Sequence, residues 1–184
     1  MSETYYEDHQ AAAHWARQML ASDALILDTE TTGLDDTAEI VQIAIIDMSG
    51  RTILNCMVKP IGAIPQAASR IHGLTAEVVQ QAPIWGSLWP VVRSILNGRT
   101  VIIYNAQYDT RLMAQSCVLA GYTFDYTIST FKCAMLPYSE WVGDWNDYRG
   151  NYRWQRLPGG DHSALGDCLA TLKVLQKMAE SEGA

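Results

Sequence analysis

The run Ala24-Leu25-Ile26-Leu27 followed by Asp28-Thr29-Glu30 constrains this chain more than any other stretch. A short apolar run that ends abruptly in acids describes a central strand covered on both faces, with its far end open. Alternate residues of a strand project from the same face, so Asp28 and Glu30 share a side. Two carboxylates held that close repel each other unless a cation sits between them. Ordinary strand ends also produce such a pair, so by itself it assigns no chemistry. It does demand a chain that can bury a central strand. With 184 residues, about two-thirds of the unfolded surface can be buried, enough for a core that needs no covalent staples.

Hydrophobic periodicity supplies the elements around that strand. Residues 10–22 read as an Ala-rich helix with Trp15, Met19 and Leu20 on one face. Residues 40–47 and 52–58 are strands joined by a hairpin turn at Ser49-Gly50. Short helices are expected over 65–71 and 76–81, and a longer one over 84–96 that Pro90 would kink or restart. A fourth strand at 101–104 leads to a helix over 109–119, ended by Gly121. A short strand over 126–129, a brief helix over 131–136 and a loop-like segment over 137–161 follow. The last helix, 163–178, carries Leu165, Leu169, Leu172, Leu175 and Met178 at spacings of three and four. No repeat or linker divides residues 1–184, so one α/β domain is expected. Its mixed central sheet, flanked by helices on both faces, begins with a three-stranded antiparallel meander.

Composition narrows the function. Thirteen Lys and Arg against twenty Asp and Glu give a net charge of −7. A protein that grips nucleic acid by electrostatics alone carries the opposite sign, whereas an enzyme whose acids hold cations need not. Residues 1–50 contain ten acids and, histidine apart, the single base Arg17, so that half offers no phosphate track. The 48% apolar content excludes a disordered or fibrous chain. No apolar run approaches the ~18 to 20 residues that cross a bilayer. The N-terminal segment is acidic where a signal peptide is basic, so a cytoplasmic protein without a membrane partner is expected. Cys56, Cys117, Cys133 and Cys168 form no Cys-x-x-Cys pair, which excludes a zinc ribbon and points to reduced thiols.

Three more polar residues stand where elements begin. Asp109 follows the strand 101–104 and the turn Asn105-Ala106-Gln107-Tyr108; Asp167 lies one turn into the last helix; His162 precedes that helix. Each has an ordinary reading taken singly: an acid starting a helix, an acid complementing a helix dipole, an exposed imidazole.

Together they resemble the DnaQ-like 3′-to-5′ exonucleases of the DEDD class, in the branch whose last motif contains histidine. Asp28-Thr29-Glu30-Thr31-Thr32-Gly33 is similar to the first motif, Asn105-Ala106-Gln107-Tyr108-Asp109 to the second, and His162-Ser163-Ala164-Leu165-Gly166-Asp167 to the third. Ile71-His72-Gly73-Leu74-Thr75 is similar to a segment often found between the first two, and the likeness spans roughly residues 14–180. It implies a ribonuclease H-like fold that brings Asp28, Glu30, Asp109 and Asp167 together to hold two Mg²⁺ or Mn²⁺ ions about 4 Å apart. It assigns His162 as the general base, imidazole being the side chain that exchanges a proton nearest neutrality. The implied reaction releases nucleoside 5′-monophosphates from the 3′ end of single-stranded DNA, with RNA left open.

The resemblance further implies that Thr31, Gly33 and Leu34 line the pocket for the terminal nucleotide. Gly33 would admit close backbone approach, Leu34 would wedge against a base, and His72 and Leu74 would border the nucleotide. Tyr108 is expected to orient Asp109, and Asn105 to fix its turn through side-chain hydrogen bonds. The segment 137–161 interleaves Tyr138, Trp141, Trp145, Tyr148, Tyr152 and Trp154 with Arg149, Arg153 and Arg156. A cover over single-stranded substrate, contacted by Arg149, Arg153, Trp154 and Arg156, a satellite core and a partner surface all fit that composition.

Two departures stand out: Tyr104 where relatives often have histidine, and Arg156-Leu157-Pro158-Gly159-Gly160 in place of the Leu-bearing helix of proofreading relatives. A polymerase-associated proofreading subunit and an exoribonuclease or oligoribonuclease remain alternatives of the same chemistry. So does a homodimer in which one subunit's arginines serve the other's groove. A catalytically silent nucleic-acid-binding domain would show a broken ligand, and none is broken.

Overall fold

The computed structural model describes residues 3–181. The chain runs α1 (Glu3–Leu20), β1 (Leu25–Thr31), β2 (Ile40–Asp47), β3 (Thr52–Met57), α2 (Gln66–His72), α3 (Trp85–Leu96) and β4 (Thr100–Ile103). It continues through α4 (Ala106–Leu119), β5 (Thr130–Cys133), α5 (Met135–Val142), β6 (Trp145–Asn146), β7 (Asn151–Tyr152) and α6 (Ala164–Ala179). Five strands form one sheet in the order β3-β2-β1-β4-β5, and β6 and β7 form a separate two-stranded ribbon. β1, β2 and β3 pair antiparallel, whereas β4 runs parallel to β1 and β5 parallel to β4. This is the expected α/β arrangement, a ribonuclease H-like mixed sheet between helices.

The two faces follow the strand period. Leu25, Leu27, Ile43, Ile45, Val101 and Ile103 pack toward α3 and α4 with Trp89, Val92, Leu112 and Met113. Ile26, Ala44, Ile46 and Ile102 pack toward α1 and α6 with Ala12, Ala16, Cys168 and Leu175. Small alanines let α1 approach closely, which is what an Ala-rich stripe supplies. Asp28 and Glu30 have the parity of Ile26, so where the apolar face stops the acids continue it, opposite the start of α6. Pairing shifts there: Glu30 opposes Gln42 but Thr31 opposes Ile40, leaving Val41 as the extra residue of a bulge. Val41 packs with Leu74 and Val79 beneath the following loop.

Several elements differ from expectation. α1 starts at Glu3 rather than at residue 10, since its early polar turns are tied down: Tyr152 Oη bonds Asp8 at 2.7 Å and His9 Nδ1 meets the Trp141 carbonyl at 2.7 Å. Residues 76–81 form turns instead of a helix. α3 passes through Pro90 unbroken, and Tyr122 Oη donates to the Gly86 carbonyl (3.3 Å) that the missing Pro90 N–H would have served. The last sheet strand is 130–133 rather than 126–129, because Asp125 accepts from the Thr127 amide (2.8 Å) and hydroxyl (2.6 Å) and spends those residues on a turn. The segment 137–161 is not a loop throughout: it holds the end of α5 and the β6–β7 ribbon. Among the described residues no helix is long and apolar enough to cross a membrane.

Candidate active site

β1 ends in the acids, and its parallel neighbour β4 ends beside them, so the turn after β4 delivers α4 to the same edge of the sheet. Asn105 occupies the left-handed region (φ 68°), which asparagine tolerates better than most residues, and α4 starts directly after it. Its side chain makes no capping hydrogen bond, so the turn rests on its backbone conformation rather than on the side-chain bonds expected. Asp109 is thereby carried inward and almost fully buried. Its Oδ1 accepts from the Thr29 amide at 3.1 Å and the Thr29 hydroxyl at 2.7 Å, clasping α4 to β1 between the two strand acids.

From the other face comes α6. Ser163 caps it, accepting from the Gly166 amide at 3.1 Å, and Gln42 accepts from the Ala164 amide at 3.2 Å. Gln42 pairs with Glu30 across β1 and β2, so it fixes the helix start against the strand that bears the acids. Asp167, one turn on, brings a carboxylate oxygen to Asp28 and Glu30, and the three ligand atoms lie within 4.8 Å of one another. Asp109 stands outside this triad, but its charge is felt at both Asp28 and Glu30.

Burial and mutual repulsion act together here. The Asp28 carboxyl is pushed well above its ordinary range, first by burial, then by Asp109, Asp167 and Glu30. Burial chiefly, with Asp167 and Asp109, raises Glu30 to about 7. Burial also raises Asp109 to about 7 against the opposing Thr29 hydrogen bonds, and Asp167 is raised by burial as well. Such a cluster is stable with protons or with cations, and hard carboxylate oxygens suit Mg²⁺ or Mn²⁺. Three carboxylate oxygens gathered within 4.8 Å of one another offer such an ion the hard donors it prefers. The donor set fits the ion.

His162 adopts a left-handed φ of 59°, rare for a residue with a side chain. It is held so because its amide (3.3 Å) and that of Asp161 (2.9 Å) both donate to Asp167 Oδ1. Asp161 in turn accepts from the Ser163 amide and hydroxyl. Glycine at 160 leaves room for the carboxylate, since a Cβ there would lie 2.8 Å from Asp167 Oδ1 and would push it aside. The His162 ring is exposed and near enough to His72 to affect its protonation. His72 Nδ1 accepts from the Leu74 amide at 3.0 Å, leaving Nε2 to donate to the Thr31 carbonyl at 3.2 Å. That fixes one neutral tautomer, and burial lowers the ring's pKa accordingly.

The loop after β1 is braced from α4. Tyr108 Oη donates to the Gly33 carbonyl (2.7 Å) and meets the Thr31 hydroxyl (2.7 Å), so Tyr108 holds this loop rather than the Asp109 carboxylate. Arg111 donates to the Leu34 carbonyl (3.1 Å), with its guanidinium 5.4 Å from the Tyr108 ring centre. Leu34 is left 79% exposed at the tip, whereas Leu74 is buried with Val41 and Val79. Arg149, Trp154 and Arg156 are exposed, while Arg153 pairs with Asp144 at 2.9 Å.

The exonuclease family model named RNase T matches residues 25–175. The uncharacterized exonuclease CP81 of Escherichia phage 186 is 39% identical over 92% of this chain and 94% of its own. The chain belongs to the exonuclease family. Within it, this DEDD exonuclease is also 28% identical, over 84% of its length, to a DNA polymerase III subunit epsilon-like protein of Rhodobacter capsulatus, of which it spans 23%. It superposes with a TM-score of 0.60 and 26% identity on exonuclease X in complex with 5′-overhanging duplex DNA, covering 88% of this chain and 93% of that one. Exonuclease I of E. coli, solved with a dA16 oligonucleotide, shares the fold at TM-score 0.69 and 17% identity, over 86% of this chain and 41% of its own.

Thr29, Gln42, Arg111 and Asp161 were not singled out as functional from sequence. Thr29 and Asp161 lie inside or beside the motifs; Gln42 and Arg111 carry no local signal.

Proposed function

We propose that this exonuclease removes nucleotides one at a time from the 3′ end of single-stranded DNA and releases nucleoside 5′-monophosphates. The convergence of Asp28, Glu30 and Asp167 within 4.8 Å, with Asp109 buried beside them, carries the reading. Exonuclease X was solved with DNA and exonuclease I with an oligonucleotide, which supports DNA as substrate here. Asp28, Glu30, Asp109 and Asp167 would hold two Mg²⁺ or Mn²⁺ ions. When bound, such ions polarise the scissile phosphate, acidify the attacking water and neutralise the leaving 3′-oxygen.

The chain's own groups do the rest. Thr29 fixes the Asp109 carboxylate, and Gln42 and Ser163 fix the helix that carries Asp167. His162 takes the proton of the attacking water; its left-handed backbone and the Asp167 contacts of its amide hold it at the mouth of the cluster. Thr31, Gly33 and Leu34 border the terminal nucleotide, with Leu34 against its base. His72 and Tyr108 brace that loop at the Thr31 and Gly33 carbonyls. Leu74 and Asn105 complete the subsite in this reading, and His72 serves there as a neutral hydrogen-bond donor.

Product analysis tests this directly. Unlabelled oligonucleotides incubated with Mg²⁺ should yield deoxynucleoside 5′-monophosphates, and EDTA should suppress them. His162→Ala should lower kcat about 10²- to 10⁴-fold with little change in KM, the usual contribution of a positioned base. Nucleoside 3′-monophosphates, or turnover in EDTA, would contradict the mechanism.

A further inference from the structure

In the segment 137–161 most aromatics are spent on the fold. Tyr138 stacks on Trp141 (5.9 Å between ring centres), Trp141 on His9 (5.2 Å), and Trp145 meets Tyr152 edge-on (5.0 Å). Trp154 and Tyr148 are different: they are 72% and 96% exposed, and among the described residues neither side chain has a hydrogen-bond or ring partner. Tyr148 sits in the turn of the β6–β7 ribbon, whereas Trp154 sits on the stretch that leads on to His162 and Asp167. Tryptophan is among the more buried residues on average, so an indole left in water with nothing against it asks for a ligand.

Its position follows from the backbone. Residues 153–157 run as an irregular extended strap, with Gln155 and Leu157 turned in and Trp154 and Arg156 turned out. Leu157 packs on the α1/α6 face of the core, and the Gln155 carbonyl accepts from Tyr104 Oη at 2.9 Å. Ile102 pairs with Ile26, two residues before Asp28, and Tyr104, in the turn just past the end of β4, packs against the same cluster as Ile26 and Ile102. The strap is thus pinned at the catalytic end of the sheet, and five residues after Arg156 the chain reaches Asp161 and then His162. Leu34 is held from the opposite face, by Arg111 of α4. Leu34 and Trp154 are thus exposed apolar side chains on two segments anchored at the carboxylate end of the sheet, one from each face.

Charge selects the occupant. In a chain of net charge −7, Arg156, two residues beyond Trp154, is exposed like it and has no ion pair among the described residues, while Arg153 pairs with Asp144. A flat π face with a free guanidinium two residues on is the chemistry that takes a base and its phosphate in a single strand; a duplex offers no unstacked base.

We propose that the 153–157 strap is a second nucleic-acid subsite, in which Trp154 stacks on an unpaired base and Arg156 contacts a phosphate of the strand leading into the carboxylate cluster. This rests on the exonuclease reading for the direction of the strand, and it makes single-stranded polynucleotide the preferred substrate.

Two measurements test it. In EDTA, fluorescence anisotropy gives the affinity of the full chain and of Trp154→Ala, Trp154→Phe and Arg156→Ala for labelled oligo(dT) and oligo(U) of about twelve nucleotides. Stacking lost from one base should weaken binding of at least one of the two strands about tenfold in Trp154→Ala, with Trp154→Phe recovering most of it. Arg156→Ala should reduce the salt slope by about one phosphate contact. With Mg²⁺, the ratio of specificity for the oligonucleotide over the p-nitrophenyl ester of thymidine 5′-monophosphate, too short to reach the strap, should fall about tenfold in Trp154→Ala. Unchanged affinity for both strands, or an equal fall on oligonucleotide and ester, overturns the subsite. If wild type binds through Trp154 but hydrolyses neither substrate, the subsite stands and the exonuclease reading fails. If Trp154→Ala degrades oligonucleotides as wild type does, the reverse holds.

Discussion

Glu30 shows how one residue ties stability to metal. Burial and the charges of Asp167 and Asp109 raise its pKa to about 7, well above its unfolded value. Between the two values the folded state binds more protons than the unfolded one, so metal-free stability falls as pH rises from about 4.5 to about 7. Glu30→Gln removes that loss and should raise metal-free stability at pH 8 by on the order of 1 to 3 kcal/mol, read as a higher midpoint of denaturant unfolding in EDTA. The same substitution should weaken Mn²⁺ binding, and wild-type Mn²⁺ affinity should climb with pH through about 7 as the acids ionise. A metal-free wild type that is most stable at high pH would contradict this sign. Arg111 supplies a second residue-scale case. Arg111→Ala frees the Leu34 loop and should raise KM for oligonucleotides several-fold with a smaller effect on kcat, measured by steady-state kinetics.

At the scale of elements, the site is the meeting of β1 with the starts of α4 and α6. The three motifs were legible because each is local: a strand end, a turn into a helix, a capped helix start. What joins them was not, because the contacts are long-range. Thr29 and Asp109 are 80 residues apart, Leu34 and Arg111 77, and Gln42 and Ala164 122. Gln42 in a buried strand reads as any polar residue until α6 is laid across it. Gln42→Leu leaves the Ala164 amide without its acceptor and should cost about 1 to 3 kcal/mol, with reduced metal affinity as the second readout. Strand 130–133 differs from expectation for a related reason: both halves of 126–133 alternate, Tyr126 and Ile128 in one and Phe131 and Cys133 in the other, and the Asp125 turn decides which half enters the sheet. Gly160→Ala would press a methyl on Asp167 Oδ1; kcat should fall at least tenfold while circular dichroism stays that of wild type.

For the whole molecule, fold class is readable from the apolar strand and its acids, which require a covered sheet with one open edge. The chemistry is readable only from the resemblance carried by the motifs of Asp28, Asp109 and Asp167 together. The acidic balance bears on binding at this scale. On the proposed reading, substrate is held by ions on the carboxylates and by side-chain contacts rather than by a broad phosphate track. Oligonucleotide KM should therefore vary weakly with salt, with a log–log slope corresponding to about one to three phosphates, measured from 50 to 200 mM salt at constant Mg²⁺. The most direct measurement follows one 5′-labelled single-stranded DNA over time on a sequencing gel, with Mg²⁺, with EDTA, and with Asp167→Ala. The expected result is a ladder shortening from the 3′ end with Mg²⁺ alone, and intact substrate in the other two lanes. A ladder that persists in Asp167→Ala, or one that shortens from the 5′ end, would contradict the assignment of Asp28, Glu30, Asp109 and Asp167 as the centre of a 3′-to-5′ exonuclease.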